Sequence, residues 1–524
     1  MGAMKEMENS GQFKKERRNT LPVVIDKANF EEAIVATGFG KFNIILLFSI
    51  IPSSFSQACE QMALSYVLPV AECDLELTLA QKGLLNAVTY AGMISSGPFF
   101  GIICDTFGRK KLIIYGYFVH FLCSIAAASS TSVLQMMIAK FFCGFVFNGP
   151  FSATTTYLTE FHSSEYRARV QLIRGVTYAL GFLLLSGAAW LVLPTAFSIT
   201  IFGSLNIHSW NLFLLCCACS PLSASILFTF MPESPKFLMS VGRNEDALKV
   251  FQSIYSMNSG RPKTDFPVKQ LISELKGEDK VKDKSVKEFI SKGWARISPV
   301  FSPPYIYRLA LACTAAMTIL TGLHTIKLWV PQILQLANDY QQAHNGSSTN
   351  VCGIMSILTE NKTGSENETC HVTTENSFVY SNSMIINGVG MGFFIISGFF
   401  VNLLGKKNIM RVLTAAASVS AIGLYFAPNS AVLISLFSVY ISCLDLTGVM
   451  AMTITLEMFP THFRAIALSF HLMFARVGSL SANLLFSTLV GAGCLTPFLF
   501  CCLLTAALPF LITLYPNTEN KALM

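Results

Sequence analysis

The chain has 524 residues, of which 52% are hydrophobic and only 13% charged, with a mean hydropathy of +0.53. A soluble domain carries about 25% charged residues, and here 43 phenylalanines outnumber all 30 acidic residues. That balance excludes a soluble enzyme, a disordered regulator and a nucleic-acid binder, and the net charge of +7 names no partner until it is located.

A membrane-crossing helix needs about 20 mostly apolar residues. In chain order, twelve stretches qualify: 42–70, 79–104, 111–130, 132–158, 168–194, 208–231, 306–336, 379–404, 409–427, 430–456, 466–490 and 494–515. The expected fold is therefore an all-α multi-pass membrane protein of 12 transmembrane helices. Residues 1–41 form a polar tail, so the first span is expected to double as the insertion signal. Two six-helix halves, 42–231 and 306–515, flank a polar linker at 232–305, and 516–524 forms a short tail.

Lys and Arg accumulate on the cytosolic side of membrane proteins. With both termini in the cytosol, 30 of the 37 basic residues fall in the tails and the cytosolic connections or in the first turn of the span that follows, while Glu72, Asp74, Glu76 and Asp339 fall outside. The 7–8 connection, 337–378, checks this orientation. It carries glycosylation acceptors at Asn345, Asn361 and Asn367. Cys352 and Cys370 lie in the same outer connection, where an oxidising compartment favours a bond between them. Cys216, Cys217 and Cys219 sit in an apolar span without a second ligand pair, so no metal site is expected there.

A repeat underlies the two halves. GIICDTFGRKK at 101–111 returns as GFFVNLLGKK at 398–407, so Gly101, Asp105 and Gly108 map to Gly398, Asn402 and Gly405, each 297 residues on. Glu160 and Arg167 map to Glu457 and Arg464 by the same offset. A constant offset across two motifs indicates duplication of a six-helix unit. Gly108 and Gly405 permit tight turns, and Arg109 and Lys406 follow them on the cytosolic side. Asp105 is expected to meet a helix N-terminus or an arginine, and Glu160–Arg167 and Glu457–Arg464 are expected to form ion pairs that break and re-form as the halves move.

Charged groups at mid-membrane depth cost about 2.5–3.5 kcal/mol each on insertion scales, so they mark function. In span 1, Ser53, Gln57, Glu60 and Gln61 share one helix face. Lys140 and Asn148 lie in span 4, Arg174 and Tyr178 in span 5, His324, Lys327 and Trp329 in span 7, Asp445 in span 10 and His471 in span 11. Asn148 maps to Asp445 and Arg174 to His471 at the offset of 297. These groups are expected to line a water-accessible cavity between the halves. Metalloprotease, serine-hydrolase and Walker A motifs do not occur. The sequence thus suggests neither an enzyme nor a bound cofactor or metal, and any pumping would draw on a proton or Na+ gradient, with Glu60 and Asp445 as proton carriers.

The doubled GxxxDxxGRKK motif and PESPKFLMSVGRNEDALKVF at 232–251 resemble the major facilitator superfamily. YVLPVAECDL at 66–75, HSWNLFLLCCACSP at 208–221 and the 7–8 connection are most similar to the synaptic vesicle glycoprotein 2 group within it. The resemblance implies a monomeric secondary transporter that moves a small organic solute by alternating access in the lipid of a plasma or vesicle membrane. It also leaves two alternatives. One is a vesicle or surface glycoprotein with weak or no transport, whose outer loop binds a partner. The other is an organic cation, organic anion or sugar porter.

Overall fold

The structure, a computed structural model, describes residues 25–195, 197–201, 205–272, 298–343, 351–353 and 377–516. Asn345, Asn361, Asn367 and Cys370 lie outside the described residues.

In chain order the elements begin with β1 (Ile25–Ala28), α1 (Phe30–Thr37), α2 (Lys41–Ser49), α3 (Ile51–Val70), α4 (Leu79–Phe107), α5 (Arg109–Ala128), α6 (Val133–Glu160) and α7 (Ser164–Val192). There follow β2 (Ser198–Ile201), β3 (Leu205–His208), α8 (Ser209–Thr229), α9 (Pro235–Ser240), α10 (Asn244–Ser259) and β4 (Val268–Leu271). The rest is helical: α11 (Tyr305–Lys327), α12 (Val330–Ala343), α13 (Ser377–Leu404), α14 (Lys406–Tyr425), α15 (Ser430–Met458), α16 (Thr461–Ala492) and α17 (Leu495–Thr513). Among the described residues, eleven helical stretches are long and apolar enough to cross a membrane, and α4 completes a set of twelve. Span 1 is α2 plus α3, broken ahead of Pro52, and span 7 is α11 plus α12, broken ahead of Pro331. A proline is tolerated in the first turn of a helix because the amide it lacks would have no intrahelical partner there.

The chain divides into two compact units. Of the described residues, the smaller comprises 25–46, 157–168 and 232–272. In it β1 and β4 pair in parallel, with Ile25 opposite Val268. An Asn29–Glu32 capping box starts α1, and Phe30, Ile34, Phe251, Tyr255 and Phe266 fill the core. The PESP stretch has a specific local job. Ser234 caps α9 through the Phe237 amide at 3.2 Å, Pro235 takes the first helical position, and the Ser234 hydroxyl donates to Glu160 at the end of α6.

The larger unit holds the rest of the helices, and the repeat is visible in its packing. Helix α5 packs on α8 as α14 packs on α17. Gly108 and Gly405 both adopt positive φ, 93° and 75°, which turns the chain between helices. A second pair of glycines sits 297 residues apart. A Cβ on Gly181 of α7 would lie 2.9 Å from the Ser54 carbonyl of α3, and one on Gly478 of α16 would lie 2.4 Å from the Met317 carbonyl of α11. Spans 1 and 5, and again 7 and 11, therefore cross at backbone contact that only glycine permits.

The expected Cys352–Cys370 bond is corrected: Cys352 bonds Cys494, 142 residues away, with a Cα–Cα separation of 5.3 Å. Cys494 caps the N-terminus of α17, at the end of the bundle that also carries the 7–8 connection. Closeness in sequence suggested the wrong partner because the last turn of the second half folds back to that connection. This is the Cys494 end of the bundle, opposite the Gly108 end.

Candidate functional site

The span 1 stripe divides between two neighbourhoods. Glu60 turns towards α5 and α6. Its Oε2 lies 3.1 Å from His120 Nε2 and 3.3 Å from Lys140 Nζ, and all three side chains are buried. The surrounding pocket is lined by residues of α3, α5, α6 and α8, among them Cys59, Ser124, Cys217 and Pro221, and has room for about one water. Every lining residue belongs to the first half. Glu60 and Lys140, expected beside the second half, thus meet inside the first. A buried carboxylate requires a cation and hydrogen-bond donors, and Lys140 and His120 supply them.

The other neighbourhood joins the halves. Lys327 of α11 places Nζ 2.7 Å from Asp445 Oδ2 of α15 and 4.2 Å from the ring centre of Phe182 on α7. Phe182 packs edge-on against Tyr178, whose hydroxyl donates to Gln61 Oε1 at 2.8 Å. Tyr90 of α4 stacks tilted on His324, with ring centres 5.5 Å apart. The Tyr90 hydroxyl donates to the Gln61 carbonyl at 3.5 Å; the charges of Glu60, Arg476 and Asp445 act on Tyr90, and those of Asp445 and Arg174 on Tyr178. One constellation therefore gathers Gln61, Tyr90, Tyr178 and Phe182 from the first half and His324, Lys327, Asp445 and Arg476 from the second.

Around it the charges are not balanced. Lys327 and Asp445 neutralise one another. Arg174 lies over the Phe151 ring, 5.2 Å from its centre, and touches Gln171 at 3.5 Å. Among the described residues neither Arg174 nor Arg476 has a carboxylate partner.

Other expected residues are held locally. Asn148 Nδ2 donates to the Met93 carbonyl at 3.3 Å, tying α6 to α4. His471 Nδ1 meets Thr455 Oγ1 at 3.1 Å inside the second half. Trp329, at the α11–α12 break, stacks on Phe486 at 4.5 Å. Gln57 is half-buried on α3. Sequence reading missed His120, Cys143, Tyr90 and Phe182. A histidine in an apolar span was a visible signal for the first, while two aromatic residues in a chain rich in them were not.

Side-chain links between the halves gather toward the Cys494 end. Lys82, at the start of α4, donates to Gln332 of α12 at 3.2 Å and pairs with Glu72 at 2.5 Å. Asn387 of α13 donates to Ser186 of α7 at 3.2 Å, and Tyr66 packs near Tyr380 with ring centres 6.3 Å apart.

The expected ion pairs exchange partners. Arg167 Nη2 meets Glu31 Oε2 at 2.6 Å, and its Nε donates to the His162 carbonyl at 3.0 Å. Glu457 pairs with Lys406, and Arg464 Nε donates to the Phe459 carbonyl at 3.0 Å. Both arginines start their helices, where the carbonyls of the preceding turn lie nearer than the acid seven residues back. Burial pushes the Glu31 carboxyl up, but the Ser164 amide and Arg167 outweigh it and hold it below its ordinary 4.5. Burial pulls the His162 imidazole below 6.5, and Arg167 adds to that despite the Leu158 carbonyl bond. Arg109 opens α5, Gly101 lies in α4 and Gly398 in α13; the side chains of Asp105 and Asn402 lie outside the described residues.

A family model described as sugar (and other) transporter matches residues 53–358. The synaptic vesicle glycoprotein 2B of Rattus norvegicus is 24% identical over 330 residues, 59% of this chain and 48% of that protein. The organic cation/carnitine transporter 7 of Arabidopsis thaliana is 30% identical over 249 residues, 47% of this chain and 46% of that protein. The chain thus spans about half the length of the curated relatives it matches. Among solved structures, the inward open conformation of the xylose transporter XylE from E. coli superposes with a TM-score of 0.63 at 13% identity, over 92% of this chain and 97% of that one. The fold is that of the major facilitator superfamily, twelve helices in two halves of six.

Proposed function

The chain belongs to the sugar (and other) transporter family, and from that premise we propose that it is a secondary-active carrier of a small organic solute bearing an anionic group. The observation that carries the choice of charge is the pair Arg174 and Arg476, one from each half, whose charges act on Tyr178 and Tyr90 and which have no carboxylate partner among the described residues. An uncompensated guanidinium in a membrane protein is stable where it faces water or an anion, and its planar fork matches a carboxylate. Tyr90, Tyr178 and Phe182 supply apolar surface for the body of the solute.

The termini and the Gly108 end lie in the cytosol, where the basic residues accumulate. In that orientation the Lys82–Gln332 and Ser186–Asn387 links join the halves towards the outer side. Rocking of the halves breaks those links. Solved relatives in fold include a D-xylose-proton symporter, and here Asp445 is the better proton carrier. Its side chain is 18% exposed against 3% for Glu60, so a proton can reach it and release Lys327.

Proteoliposomes loaded with the purified chain test this reading. Radiolabelled mono- and dicarboxylates are expected to accumulate faster than neutral or cationic solutes of the same size, and Arg174→Ala and Arg476→Ala are expected to abolish the preference. Preferential uptake of cations, or a preference unchanged by both substitutions, overturns it. A second reading, a membrane glycoprotein that binds a partner through its 7–8 connection, draws on the Cys352–Cys494 bond that anchors that connection and on similarity to the vesicle glycoprotein. It expects binding to depend on Asn345, Asn361 and Asn367 while Arg174 and Arg476 are dispensable.

A further inference from the structure

The pocket inside the first half lies outside the solute site, and its chemistry calls for a different ligand. We propose that the Glu60 carboxylate, a ring nitrogen of His120 and the Cys143 sulfur form a binding site for a divalent transition metal ion of the zinc class.

The three ligand atoms lie within 4.8 Å of one another and come from three helices, α3, α5 and α6. Their residues are 6%, 2% and 0% exposed. A tetrahedral ion with bonds of about 2.0–2.3 Å sets its ligands roughly 3.3–3.8 Å apart. Closing to that spacing needs a shift of about 1 Å, within reach of side-chain rotation. The pocket that Glu60 and His120 line has room for about one water, which provides a fourth ligand.

A second observation is independent of that spacing. Among the described residues, His120 Nδ1 is buried without a hydrogen-bond partner, and Ser56 Oγ in the same pocket is likewise unsatisfied. Orphaned buried polar atoms in native structures call for a partner. The ligand types select the class of ion. One thiol, one imidazole and one carboxylate suit a borderline ion, whereas a hard ion such as Mg2+ or Ca2+ takes oxygen ligands. Cys59 and Cys217 line the same pocket and add thiols within its wall. On ligation the Cys143 thiol becomes a thiolate, and its proton leaves to solvent.

Lys140 makes the site conditional. Its ammonium holds the same Glu60 oxygen at 3.3 Å, so it competes with the ion for that carboxylate. Ion binding then replaces the Lys140 and His120 contacts to the Glu60 carboxylate by direct bonds that hold α3, α5 and α6 to one centre.

Co2+ titration of the purified full-length chain, followed by absorption, tests the site. The expected result is a single Co2+ per chain, with a thiolate charge-transfer band that disappears in Cys143→Ser. His120→Ala is expected to weaken binding about tenfold or more. Lys140→Met, which removes the competitor, is expected to tighten it. Thermal unfolding of each variant controls for folding, and His120→Asn replaces His120→Ala should the latter not fold. Substoichiometric Co2+, a spectrum without the thiolate band, a band that persists in Cys143→Ser, or weaker binding in Lys140→Met overturns the proposal.

Discussion

Lys327 holds Asp445 at 2.7 Å and lies 4.2 Å from the ring centre of Phe182, so one ammonium joins the second half to itself and touches the first. Breaking a buried pair by removing one partner costs about 3–5 kcal/mol, largely from the charge left behind. Lys327→Met and Asp445→Asn are each expected to lower uptake more than about tenfold at constant surface level. The double variant should recover part of it, since removing both charges leaves neither uncompensated. Single variants with full uptake in proteoliposomes would sink the assignment.

Lys82 bonds Gln332 across the halves while pairing with Glu72. Lys82→Ala is expected to shift the population towards an outward-open state. A Ser383→Cys reporter, buried on α13, should then react several-fold faster with an impermeant thiol reagent applied from outside, as population-shift reasoning requires. An unchanged labelling rate would show that the link does not hold the outer side closed.

The Cys352–Cys494 bond closes a span of 142 residues. Cross-linking a loop of that size stabilises by about 2–5 kcal/mol. Non-reducing peptide mapping should recover the two cysteines on one cross-linked peptide, and Cys494→Ser should lower Tm by several degrees. Recovery of Cys352 bonded to Cys370 instead would contradict the structure.

The smaller unit is expected to loosen as acidity rises. His162 is depressed below 6.5, so below that pH the unfolded chain takes up a proton that the folded chain resists, and stability declines. Glu31 is held below 4.5, so its contribution is complete above that pH and fades as pH falls through its lowered value. Amide exchange of α1 and α10, corrected for intrinsic rates, should therefore quicken in two stages. Glu31→Gln should remove the lower one, and a two-stage profile in that variant would show that another group is responsible.

The sequence made the helices and the repeat legible because both are written in local patterns. Twenty apolar residues predict a span, and an offset of 297 predicts that Gly108 and Gly405 turn the chain alike, as their φ values of 93° and 75° bear out. Partners were less legible. Periodicity placed Glu60 and Gln61 on one face of span 1 but not which neighbour each would meet: Glu60 found Lys140 and His120 inside its half, and Gln61 found Tyr178. Cys352 bypassed the nearer cysteine for the same reason, since pairing depends on which turns share an end of the bundle. Arg167 chose Glu31, 136 residues away, a contact no local spacing encodes.

Gly181 and Gly478 press spans 5 and 11 against spans 1 and 7 with no room for a methyl group. Helices locked at that depth cannot slide past one another, so each crossing should travel as a single lever arm. Spin labels on spans 1 and 5 should keep their separation throughout the cycle, whereas a pair on spans 5 and 8 should breathe. Gly478→Ala, which wedges a methyl against a carbonyl at 2.4 Å, is expected to cost about 1–3 kcal/mol. It should also make the span 7–11 distance variable where the native chain holds it fixed.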